Sequence, residues 1–224
     1  MTTQTEIQVI AGLAFLFILY SVWMGQMVAQ GLPDGYRNPV LALELVKNGK
    51  DIEQILSAEG GRAFEFVKKS TYKDFGYILV YAVFFISLSL LLSREDFSWT
   101  RLVGWLAAGC VAVAAVLDLI EDRGMLRAIA GAASDSLARS IRYPSLAKWA
   151  FLFIFSLLVG LLLIARPDTF VIPALCFLLA SLLGLSGVAF NLLAAEILLD
   201  VSRGHGHHGH RSSHSFSRFH FLPR

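Results

Sequence analysis

The stretch RLVGWLAAGCVAVAAVLDLIEDRGMLR, Arg101–Arg127, decides the fold. Its opening run, Leu102 to Leu117, is uncharged and rich in Ala, Val and Gly. A run of that length and apolarity predicts a bilayer-spanning helix, over residues 102–121. It closes on Asp118, Glu121 and Asp122, followed at once by Arg123 and Arg127. Residues three and four apart share a helical face, so the three carboxylates are expected to stack at the helix end. Carboxylates beside hydrocarbon are costly and turn toward protein or water, which makes the trio a candidate site.

The rest of the chain repeats the apolar pattern. Hydrophobic residues make up 56% of the 224 positions and charged ones 16%, with a mean hydropathy of +0.62. A soluble domain of this length carries no such excess, so the composition predicts an all-α, polytopic transmembrane bundle. Five spans are expected, at residues 7–29, 75–92, 102–121, 149–165 and 170–199, within a single bundle over residues 1–200. The first residues, MTTQTEIQ, hold no Lys or Arg and lack the basic region of a secretory signal, so the first apolar run is expected to be retained. Cys110 and Cys176 fall inside apolar runs and read as small hydrophobic residues, not as a disulfide framework or a metal pattern.

Between the first two spans, residues 38–72 are too polar to cross a membrane. Asn38-Pro39 supplies an N-cap and a first-turn proline for a short helix, Val40–Lys47, that ends at Asn48-Gly49. Asp51 is expected to cap a second helix with Ile52, Ile55 and Leu56 on one face, stopping at Gly60-Gly61. A third, Arg62–Ser70, places Phe64 near Val67 and leaves Lys68 and Lys69 in the open. These read as amphipathic helices on the cytoplasmic side. Gly124–Tyr143 reads as a polar, partly helical loop, and Pro144 as the point where the chain restarts before the fourth span.

Five spans put the N-terminus, the Arg94 turn and the Arg166 turn on one side, with three Lys or Arg among them. The opposite side receives the other sixteen. The positive-inside rule therefore predicts an outside N-terminus and a cytoplasmic C-terminus. That orientation gathers the acids: Asp74 opens the second span from the cytoplasm, Asp118, Glu121 and Asp122 end the third there, and Lys148 opens the fourth. Glu44 lies on the cytoplasmic amphipathic segment. Tyr77 and Tyr81 continue a polar seam from Asp74. The expected ligand-binding set is Asp74, Tyr77, Tyr81, Asp118, Glu121, Asp122 and Lys148.

Two chemistries fit the trio. Hard oxygen ligands suit Mg²⁺ or Mn²⁺, and such an ion could bridge to a lipid phosphate. The blander reading, which the sequence favours, is an ion-pair cluster with Arg123, Arg127, Lys148 or Arg142. No nucleophile stands reliably beside the trio, which weighs against catalysis. Residues 201–224 form a His-rich tail in which His205, His207, His208 and His210 could take Zn²⁺ or Ni²⁺. Its Gly and Ser content instead favours a flexible, solvated segment. The basic residues before the second span are explained by topology and lipid headgroups, so nucleic acid is not an expected partner.

Short motifs carry a resemblance. Glu44-Leu45-Val46-Lys47, Asp74-Phe75 with Tyr81, Asp118-Leu119-Ile120-Glu121-Asp122 and Lys148-Trp149 are similar to features that recur in a group of small bacterial multi-pass membrane proteins without an assigned activity. In that group the third span ends D-x-x-E-[N/D], and Asp122 here takes the place of the more usual Asn. The likeness covers roughly residues 7–165. It implies a membrane fold and no reaction. Together these readings predict a bacterial inner-membrane protein whose partners are the bilayer and a lipid headgroup or small ligand. Its expected role is a non-catalytic accessory or ligand-binding one. The alternatives are a metal-dependent enzyme acting on a lipid or isoprenoid phosphate, and a small-molecule transporter, against which the apolar outer halves of the spans argue.

Overall fold

The computed structural model of the protein describes residues 3–29, 38–94 and 98–165. Those residues are helical throughout their regular structure: α1 (Thr3–Ala29), α2 (Pro39–Glu44), α3 (Gly49–Ser57), a 3₁₀ turn (Ala58–Gly61), α4 (Arg62–Leu92), α5 (Ser98–Ile129) and α6 (Asp135–Ile164). Three of them, α4, α5 and α6, are long and apolar enough to cross a membrane, and the apolar stretch of α1, Gln8–Met24, is shorter. The expected fifth span, 170–199, and the tail lie outside the described residues.

The helices are much longer than the predicted spans. At about 1.5 Å per residue, α4, α5 and α6 each run about 45–48 Å, against about 30 Å of bilayer hydrocarbon. The predicted amphipathic helix Arg62–Ser70 is the first third of α4. The predicted loop Gly124–Tyr143 is largely the end of α5 and the start of α6. Pro144 does not restart the chain but lies inside α6. A proline there costs one backbone hydrogen bond. The helix continues through it because Leu137, Ala138 and Ile141 on the near side are buried in a core of their own.

That core is one of two, stacked end to end. The first gathers Leu43, Val46, Ile52 and Ile55 from α2, α3 and their connection, Val67 from α4, Met125 and Ala128 from α5, and the start of α6. The second joins Ile78 and Tyr81 of α4, Ala107 and Val111 of α5, and Phe155, Val159 and Leu162 of α6. Around the second core the bundle is apolar on its outside as well, with Leu79 65%, Leu102 62% and Trp105 62% exposed. A helix that is apolar all round fits a lipid environment. α1 lies against α4 through Phe17, which stacks on Tyr77 and Phe84 and meets Phe85 edge-on.

The short helices cap the first core by local chemistry. Asn38 Oδ1 accepts from Leu41 N at 3.1 Å, with Pro39 at the first helical position, as the sequence predicts. α3 begins three residues earlier than expected, with Asn48 and not Asp51 at the cap. Asn48 Oδ1 accepts from Asp51 N at 3.0 Å, while Asp51 Oδ2 accepts from Lys47 N at 3.0 Å. The pair works like a capping box. Gly49 N donates to Asp135 Oδ1 at 2.8 Å, tying α3 to the start of α6. A Cβ at Gly49 would lie 2.8–3.0 Å from the Ser134 backbone.

Gly49→Ala is therefore expected to cost about 1–3 kcal/mol, because backbone cannot rotate aside as a side chain does. Gly109, whose Cβ would meet nothing within 4 Å, is the control. Thermal unfolding of the two variants in detergent should show a loss at the first position and none at the second.

Candidate functional site

Polar side chains collect where the two cores meet. Counting along the helices from the Leu92, Ser98 and Ile164 ends, Asp74, Asp118 and Lys148 stand about 27, 30 and 24 Å away, close to one level. Glu44 enters the same level from α2. Helical spacing then fixes which side chains face inward. Asp118, Glu121 and Asp122 occupy the buried stripe of α5, and Ser145 and Lys148 that of α6, whereas Arg123 and Arg127 are exposed.

Lys148 is the centre of the cluster. Its Nζ lies 2.8 Å from Asp118 Oδ1, 2.8 Å from Glu121 Oε2 and 3.9 Å from Glu44 Oε1. The Asp118 contact is a hydrogen bond. The Glu121 contact is close enough for an ion pair but off the line of a hydrogen bond. Asp118 Oδ2 accepts from the Tyr81 hydroxyl at 2.9 Å. Glu44 Oε2 accepts from Ser145 Oγ at 3.0 Å and from Trp149 Nε1 at 3.2 Å. Of the cations the sequence offered to the trio, the structure brings Lys148.

Beside this network lies a cavity of about 260 Å³. Six of the seven residues expected to bind a ligand line it: Asp74, Tyr77, Tyr81, Asp118, Asp122 and Lys148. Glu121 does not; it is 1% exposed and stands behind Lys148. Asp122 is 2% exposed and its Oδ2 has no hydrogen-bond partner. The Tyr77 hydroxyl lies 3.3 Å from Ser21 Oγ of α1. The remaining wall is partly aromatic, with Phe85 and Trp149.

The expected Mg²⁺ or Mn²⁺ seat on Asp118, Glu121 and Asp122 is not assembled. Adjacent helical residues diverge by about 100°, so Glu121 turns to Lys148 while Asp122 faces the cavity. Among the described residues no three His, Cys, Asp or Glu are placed to share one ion. The second candidate metal set, His205, His207, His208 and His210, lies outside the described residues.

Sequence reasoning grouped Glu44 with the acids on one side but left it out of the binding set; it named Trp149 only as the neighbour of Lys148 in a short motif, and it missed Ser145. Ser145, Lys148 and Trp149 follow an i, i+3, i+4 spacing that predicts a shared face. Their partner is about a hundred residues away in the chain, which no local pattern reports. No protein-family model, no curated protein and no solved structure matches the chain. The functional argument therefore rests on the site.

Removing the ammonium from this network should be far more costly than removing the whole network. Lys148→Met leaves Asp118 and Glu121 buried without a cation and is expected to cost about 3–5 kcal/mol. Adding Asp118→Asn and Glu121→Gln to that variant should restore most of the loss, read as melting temperature in one detergent. Tyr81→Phe, which removes one donor to a buried carboxylate, should cost about 1–3 kcal/mol.

Proposed function

We propose that the chain is a non-catalytic, ligand-binding integral protein of a bacterial inner membrane. It crosses five times, with its N-terminus outside and its C-terminus in the cytoplasm. Its working part is the cavity between the two cores, at the cytoplasmic boundary. The observation that supports this best is Asp122: a carboxylate almost wholly buried, unpartnered at one oxygen and lining a partly open, mainly apolar cavity. Buried polar atoms are nearly always paired, and an unpartnered one at a cavity wall calls for a partner that a bound ligand or its water would supply. The volume falls just below the ~300–1,000 Å³ of drug-sized sites, which fits a small molecule or a headgroup.

Binding is favoured over covalent chemistry because the serine and the amine at the site are already engaged. Ser145 donates to Glu44, and Lys148 is held by carboxylates, so neither is free to serve as nucleophile or base. Beyond Tyr81 the buried residues are mainly apolar, and the described acids and Lys148 all lie on the near side, which favours a closed site over a through-path.

The topology is tested with single cysteines in a chain whose Cys110 and Cys176 are replaced. A thiol at Lys50 should label only after the membrane is permeabilised, and one at Arg94 should label in intact cells. The reverse pattern would overturn the orientation. Saturable stabilisation of the purified full chain by some small molecule, reduced at least tenfold in affinity by Asp122→Asn, tests the binding role.

A further inference from the structure

The charge balance of the cavity limits what it can hold. Glu44, Asp74, Asp118 and Asp122 line it, and the one lining cation among the described residues is Lys148. Lys148 pairs with Glu44, Asp118 and Glu121, which leaves Asp74 and Asp122 outside its ion pairs. Asp122 adds the independent observation of a buried oxygen with no partner, on a residue that faces the cavity. An anionic ligand, such as a phosphate, would add charge of the sign already in excess. A bare divalent ion finds no three-ligand set here and would leave most of 260 Å³ unfilled. The rest of the wall is aliphatic and hydroxyl-bearing in part but includes four rings, Tyr77, Tyr81, Phe85 and Trp149, and rings of this kind attract organic cations through their faces.

We propose that the cavity takes a small organic ammonium ion. Its charged end is seated against Asp122 and Asp74, and its hydrocarbon part lies among Tyr77, Tyr81 and Phe85. This deepens the ligand-binding reading above and rests on it. The ammonium can come from a free amine or from an amine-bearing lipid headgroup, since the chemistry of recognition is the same.

The full chain is placed in phosphatidylglycerol nanodiscs, which carry no ammonium, and its melting temperature is followed against ethanolamine, tetramethylammonium, inorganic phosphate, glycerol and MgCl₂. Saturable stabilisation by one or both ammonium compounds alone is expected. Asp122→Asn and Asp74→Asn should each weaken the response at least tenfold, and either variant serves if the other does not fold. Tyr77→Leu should weaken tetramethylammonium by several-fold. Repeating the titration with phosphatidylethanolamine in the disc separates the sources. Stabilisation by the lipid with loss of the ethanolamine response assigns the headgroup, and an unchanged ethanolamine response assigns the free amine. Saturable binding of phosphate, glycerol or Mg²⁺ in place of the ammonium compounds would overturn the proposal while leaving the ligand-binding reading intact. Failure of every probe to bind would overturn both.

Discussion

One ammonium group holds four helices in register. Lys148 Nζ sits on α6, its carboxylates on α5 and α2, and Tyr81 of α4 holds the far oxygen of Asp118. Taking charges out of water costs several kcal/mol per ion, and only close, hydrogen-bonded geometry offsets it. Such a network therefore adds little net stability relative to a well-packed apolar layer. What it adds is intolerance of misplacement, because sliding any one helix by a turn strands a buried charge. The two apolar cores on either side could each accept small shifts; the layer between them does not.

That layer also explains why the short helices exist. α2 and α3 are too short to be stable alone, and their apolar faces complete a core to which all three long helices contribute their ends. Glu44, at the last turn of α2, is the link between this cap and the layer. Asn38, Asn48 and the Gly49–Asp135 bond fix where α2 and α3 start, and hence where Glu44 arrives. Local capping chemistry, worth on the order of 1 kcal/mol per cap, thus sets the position of a carboxylate in a charged network about a hundred residues downstream.

Much of this was legible in the residues, and the remainder was hidden for definable reasons. Long apolar runs announced α4, α5 and α6, and the Asn38-Pro39 cap was readable because N-cap chemistry is local. The gathering of Asp74, Asp118 and Lys148 at one level followed from counting charges between runs. Helix ends were misjudged because a window of hydropathy detects the apolar segment and not the helix, which continues wherever a second core rewards it, even through Pro144. The divergence of Glu121 from Asp122 was implicit in the helical period but was overridden by reading three acids as one cluster. The Glu44–Ser145–Trp149 contacts had no local trace.

The unbroken passage of α4, α5 and α6 from one core into the other has a mechanical consequence. No loop interrupts α4, α5 or α6 at the charged layer, so a tilt of these helices at their apolar ends would be carried into the cap and not absorbed between them. If the charged layer held as the pivot, the gap between the helices would change most at the rim and least at that layer. The cavity lies beside it, where the lever arms would be short and the spacing of its walls best defended.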